Sequence, residues 1–198
     1  MASTLKINNL DTASGTTITI PTGKALVGTD GGSIKAPGQI IQIVRTTPAS
    51  TTHVTFSSTP PTMVEANTAN RVTITPKYAN SLLRLNFSSL TGGRNAGSIM
   101  GYKFFDITNS SNVGFSSLGT GSNRTFTNAS IRNMGGDAND RVHLNMTAYQ
   151  AASNTNARTY GIYVYKESGA TGDMNMTSTD NSGCSYAPPV FTVEEISQ

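Results

Sequence analysis

Apolar positions in this chain come in short bursts spaced two apart, and turn residues separate the bursts. Leu5 and Ile7, then Ile18 and Ile20, alternate with polar neighbours between clusters at Asn8-Asn9, Ser14-Gly15, Pro21-Thr22-Gly23 and residues 28–32. A period of two belongs to a strand with one buried face, and Gly, Pro and Asn clusters mark turns. The cleanest alternation is Val142, Leu144, Met146 and Ala148 against Arg141, His143, Asn145 and Thr147, which describes one buried and one wet face. Tyr160, Ile162 and Val164 interleave with Tyr163 and Tyr165. That strand buries something on both faces, and its tyrosine-bearing face is a candidate contact between subunits.

The same pattern predicts strands at 39–45, 53–56, 71–75, 82–87, 100–107, 113–115, 124–127, 141–149, 160–166, 174–176 and 190–196. The connections 91–97, 119–123, 135–140, 153–156 and 168–172 are rich in Gly and Asn and read as loops. Many short strands at regular spacing, without helical periodicity, predict an all-β protein built as a jelly-roll-like β-sandwich. Met100, Tyr102, Phe104, Tyr160, Tyr163, Tyr165 and Phe191 are its larger side chains, expected in the core or at a subunit interface. Pro37-Gly38 marks a boundary. Residues 1–36 form an N-terminal attachment or shaft segment with too few apolar residues to bury a core, and residues 37–198 form the sandwich.

Composition sharpens this. The chain has 198 residues, enough for one substantial domain and an appendage. Thr, Ser and Asn dominate beside 19 Gly, and only 13% of residues are charged, a balance that favours turn-rich β structure over helix. The net charge of +3 is scattered singly, with no stripe to track phosphates, so nucleic acid is not an expected partner. Cys184 stands alone, which excludes an intrachain disulfide and a cysteine zinc cluster. No leader pattern opens the sequence and no stretch has the apolar length to cross a bilayer, so synthesis in a cytoplasm without membrane insertion is expected.

Candidate chemistry is sparse. His53 and His143 are the only histidines, and no nucleophile elbow accompanies either, so an exposed strand histidine is the expectation at 143. Asp137, Asn139 and Asp140 gather oxygen atoms on one loop as a divalent cation requires, but the spacing and terminal Glu of an EF-hand are missing, and such residues favour turns on their own account. No metal, cofactor or catalytic residue is assigned. A regular segment without its own core, joined to a domain with edges to cover, points to an assembly. Packing three sandwiches around an axis would bury those edges, so a homotrimer is expected.

The opening Met1-Ala-Ser-Thr-Leu-Lys-Ile-Asn-Asn-Leu10, the run Gly15-Thr-Thr-Ile-Thr-Ile-Pro21, and Pro37-Gly-Gln-Ile-Ile-Gln-Ile-Val44 resemble the start of virion appendage proteins of marine tailed bacteriophages, of the cyanophage and pelagiphage type. The likeness continues through 51–58, Arg71-Val-Thr-Ile-Thr-Pro-Lys-Tyr-Ala-Asn-Ser-Leu-Leu-Arg-Leu85 and the closing Val193-Glu-Glu-Ile196. It implies a structural virion protein, a homotrimeric fibre or spike component and not an enzyme. Its N-terminus would attach to another virion structural protein, with Leu5, Ile7, Leu10, Ile18 and Ile20 in the attachment segment. Its sandwich would face outward, with Arg94, Asn95, Asn123, Asn154 and Asn156 as candidate contacts to a host-surface glycan or protein. Capsid decoration or a head fibre without host contact is the alternative. A glycan depolymerase would need two carboxylates across a groove, whereas the 11 acids are dispersed.

Overall fold

The computed structural model describes residues 21–25, 27, 36–46, 54–56, 62–93, 99–114, 128–132, 142–167, 172–174 and 189–198. The chain divides into two compact units, Met1–Ile34 and Lys35–Gln198. In the first, the Lys24 amide donates to the Pro21 carbonyl (3.0 Å) across a turn in which Gly23 takes φ +77°. Everything that follows concerns the second.

Its strands are β1 (Ile40–Thr46), β2 (Val54–Phe56), β3 (Val64–Glu65), β4 (Val72–Ile74), β5 (Leu82–Gly93), β6 (Ile99–Asp106), β7 (Ser111–Asn112), β8 (Ala129–Arg132), β9 (Val142–Ala151), β10 (Arg158–Glu167), β11 (Gly172–Met174) and β12 (Val190–Ile196). A single 3-10 turn, Thr68–Asn70, interrupts them among the described residues, capped by the Asn67 side chain accepting from the Ala69 amide. All strand pairs are antiparallel.

The first sheet runs β1-β12-β5, with β9 on the far edge of β5 and β11 continuing the line of β12 to carry β2. The second runs β10-β6, with β3 and β4 end to end along β10 and β7 and β8 end to end along β6. The chain changes sheet at most connections, and its first strand pairs with its last. That is the jelly-roll layout the strand spacing predicts.

The alternation seen in the sequence explains the core. Leu83, Leu85 and Phe87 of β5, Leu144, Met146 and Ala148 of β9, and Phe191 and Val193 of β12 point inward from one sheet. Met100, Tyr102 and Phe104 of β6 and Tyr160, Ile162 and Val164 of β10 meet them from the other. The Phe191 ring joins the layers, edge-on to Phe87 at 6.0 Å and tilted against Phe104 at 5.5 Å. Each such buried Leu, Ile, Val, Met or Phe side chain contributes about 1.5–3 kcal/mol over exposure. On the other face of β10, Tyr165 is also buried and Tyr163 half-buried, its ring 4.5 Å from that of Phe105.

Several expectations are corrected. Thr91, Gly92 and Gly93, read as the start of a loop, extend β5, because β9 and β11 supply pairing partners that a Gly-rich stretch does not advertise. Val142 is 42% exposed despite its inward parity, at the opening of β9. The strand expected at 113–115 lies two residues earlier, and Gly114 turns away with φ +85°. The strand expected at 124–127 falls outside the described residues, whereas β3 and β8 were not foreseen.

Candidate functional site

The sandwich has two unlike ends. At the near end the Gly38 amide donates to the Ser197 carbonyl (2.8 Å) and the Ser197 amide returns a bond to Gln39 (2.9 Å), so the first and last residues of the domain are tied together. Turns 75–81, 107–110 and 152–157 lie at the same end, because they join strands whose registers meet at Ile74, Leu82, Asp106, Ala151 and Arg158. The strand ends that bracket 47–53, 94–98, 133–141 and 168–171 lie at the opposite, far end.

Inward parity on β12 places Phe191, Val193 and then Glu195, so a carboxylate sits fully buried at the near end. Both Glu195 oxygens accept from the Lys77 amide at 2.9 Å. Oε1 also takes the Tyr78 amide (2.9 Å) and the Ser81 hydroxyl (2.7 Å), and Oε2 the Gln42 side-chain amide (2.6 Å). Burial alone would raise its pKa, but the Lys77, Ser81, Tyr78 and Gln42 donors outweigh burial and hold the carboxyl below its ordinary value. One side chain thus fastens β1, the 77–81 turn and β12.

A second polar group fills the core beside it. Asp106 accepts from the Asn109 amide (3.0 Å), the Asn109 side chain (2.7 Å) and Gln150 (3.3 Å), while Arg158 donates to the carbonyls of Ala151 and Ala152. Burial, with the charge of Asp106, pushes the Tyr160 hydroxyl up to about 12, with Arg158 acting against them, so it stays neutral. These residues brace turns.

The outer face of the first sheet carries its own array in register. One row across the strands reads Ile43, Glu194, Arg84, Tyr149, from β1 to β9. Arg84 Nε donates to Glu194 at 2.7 Å, and Ile43 and Tyr149 stand 58% and 51% exposed at the two sides. The row toward the near end is Ile40, Ile196, Leu82, Ala151, and the row toward the far end is Arg45, Thr192, Asn86, Thr147. A shallow depression of about 150 Å³ lies among Asn86, Ser88, Asn145, Thr147, Val190 and Thr192.

His143 stands at the edge of this array, exposed as expected. The Asn145 side-chain nitrogen lies 2.9 Å from its Nδ1, and Ser88 Oγ lies 3.2 Å from its Nε2.

No protein-family model matches the sequence, and no curated protein matches it. Among solved structures, the chain is similar to a protein of the infectious bursal disease virus Gt strain, at 8% identity and a TM-score of 0.40, over 88% of this chain and 42% of that one. A mutant VP2 protein of the same virus in derived T=1 particles gives 9% identity and 0.40, over 86% of this chain and 40% of that one. The chain therefore spans about two fifths of the length of these proteins. At that level of likeness neither family nor function passes from them to this chain.

Of the residues singled out in the sequence, Asn154 and Asn156 lie in the near-end turn, where Asn154 Oδ1 accepts from the Asn156 amide at 3.0 Å. The strand ends that bracket Arg94 and Asn95 are at the far end, so the structure does not gather the two pairs on one end. Leu5, Ile7, Leu10, Ile18, Ile20, His53, Arg94, Asn95, Asn123, Asp137, Asn139, Asp140 and Cys184 lie outside the described residues. Among the described residues no cluster of acids, His or Cys could hold a metal ion, and no helix is long and apolar enough to cross a membrane. The Glu195 hub was missed, although a charged residue at inward parity after Phe191 and Val193 was its available signal.

Proposed function

We propose that this chain is a structural component of a viral particle, a fibre-like or spike-like part of a tailed phage that works by binding and not by catalysis. Residues 1–36 hold it to another virion protein, and the far end of the sandwich is turned toward the host surface, where the loop at 94–98 offers polar contact to a glycan or protein. The observation that carries this reading is the two-ended build of the domain. Its first and last residues are fastened together at the near end around Glu195, while the strand ends that bracket 47–53, 94–98, 133–141 and 168–171 lie at the other. A domain so arranged is held at one end and presents the other.

The test is incorporation. Full-length chain and a chain lacking residues 1–36, each with the same small tag, are produced during infection, and purified particles are probed for the tag. The full chain is expected in particles, at the head or tail position that electron microscopy of the label reveals. The shortened chain is expected folded in the lysate and absent from particles. Recovery of the shortened chain in particles places attachment elsewhere, and absence of the full chain overturns the virion reading.

A further inference from the structure

The outer face of the first sheet keeps apolar side chains in water at Ile40, 42% exposed, Ile43 and Tyr149, although the same strands bury their other face well. Exposed single apolar residues need no explanation, but these share one face of one sheet with Leu82, Ile196 and Ala151 in the adjoining row, around a charge pair. The row order is what identifies an occupant. From β1 to β9 it reads aliphatic, acidic, basic, aromatic: Ile43, Glu194, Arg84, Tyr149, the Tyr149 hydroxyl also bonding to Arg84.

We propose that this face binds the same face of a second copy of the chain, about a two-fold axis that runs parallel to the strands between β12 and β5. Such an axis reverses the order across the strands and keeps the order along them. Glu194 of one copy then meets Arg84 of the other, and Ile43 meets Tyr149. In the near-end row Ile40 meets Ala151 and Ile196 meets Leu82. In the far-end row Arg45 meets Thr147 at the rim of the depression, and Thr192 meets Asn86. The facing pairs are therefore aliphatic on aliphatic or aromatic in two rows, acid on base at the axis, and polar or cationic on polar in the far-end row.

The other in-plane axis, along the rows, would set Glu194 on Glu194 and Arg84 on Arg84, which like-charge repulsion forbids. Aligned sheets cross at about 30°, so the match is best close to the axis, where the charged groups stand. There the two intrachain pairs close into a ring of alternating charge, with each carboxylate between two guanidinium groups. Isologous pairing of this kind is the commonest way for a soluble chain to cover a face.

The size fits a modest interface. With strands about 4.8 Å apart and about 3.4 Å per residue, the four strands present roughly 550 Å² in projection on each copy. Two such faces fall at the low end of the range for specific complexes, and association in the micromolar range is expected. The pairing stands on the register of four strands and is independent of any role in a particle.

Sedimentation velocity of the full-length chain across a concentration series is the first measurement. A monomer passing to a species of twice 20.8 kDa is expected. Arg84→Glu and Glu194→Arg are each expected to weaken self-association at least tenfold, because each leaves like charges facing at the axis. An equimolar mixture of those two variants is expected to form the two-chain species again, since every acid of one then faces a base of the other. An intrachain salt bridge cannot produce that rescue in trans. Ile43→Asp, at an exposed position whose loss leaves the core untouched, is expected to remain monomeric with an unchanged melting temperature. A three-chain species, a monomer at every concentration, a two-chain species indifferent to Ile43→Asp, or failure of the mixture to associate would each overturn the proposal.

Discussion

Glu195 shows how one side chain decides the behaviour of an end of the fold. A buried carboxylate is costly unless its oxygens are filled, and here four donor groups from two separate segments, β1 and the 77–81 turn, fill them. Its folded pKa lies below the unfolded value of about 4.3. The stabilisation is therefore complete above that pH and is lost as pH falls through the folded value. Glu195→Gln keeps the shape but turns an amide N–H₂ toward donors, and each buried donor left unpaired costs about 1–3 kcal/mol. The variant is expected to lose about 3 kcal/mol at neutral pH in urea unfolding. It is also expected to lack part of the fall in stability that the parent shows between pH 5 and pH 3. A variant whose urea midpoint declines with acid as steeply as the parent's would show that Glu195 does not carry this dependence.

At the scale of elements, β7 and β8 are a strand broken in the middle and mended by a side chain. Asn128 Oδ1 accepts from the Phe104 amide (2.8 Å), its Nδ2 donates to the Val113 carbonyl (3.1 Å), and its own amide donates to Tyr102 (2.8 Å). The edge of β6 is thus satisfied where the strand beside it is interrupted. Gly114 makes room for this arrangement. A Cβ there would lie 3.0 Å from the Ala148 Cβ and 3.1 Å from Asn128 Nδ2, at a φ of +85°. Gly114→Ala is expected to cost about 2 kcal/mol through left-handed strain and this crowding, visible as a lowered melting temperature. An unchanged melting temperature would mean that the neighbours relax without loss. The same elements show what a sequence can reveal. The strand Val190–Ile196 was legible residue for residue, because its run of β-branched and aromatic residues carries its own signal. β3 and β8, of two and four residues, owe their form to β10 and β6, and a side chain standing in for backbone has no periodicity to detect. The row Ile43, Glu194, Arg84, Tyr149 was invisible for a related reason. It depends on the register of strands far apart in the chain, β1 and β12 at its extreme, which no local pattern encodes.

For the whole molecule, the pairing of first strand with last has a mechanical consequence. β1 is zipped to β12 from Ile40 opposite Ile196 to Thr46 opposite Phe191, and both strands leave the domain at the near end. Tension applied between the two termini draws Gly38 and Ser197 apart sideways and breaks the ladder one rung at a time. Tension between the N-terminal side and a handle placed in the 94–98 connection runs along β1 instead, and loads all its rungs at once, because sheet hydrogen bonds lie perpendicular to the strands. In single-molecule pulling of the full chain, rupture along the second axis is expected at a several-fold higher force than along the first. Equal forces would show that β1 is not what yields. A protein tethered at its near end and tugged at its far end would be loaded along its strong axis, and its weak axis would be reached only by pulling on its own tail.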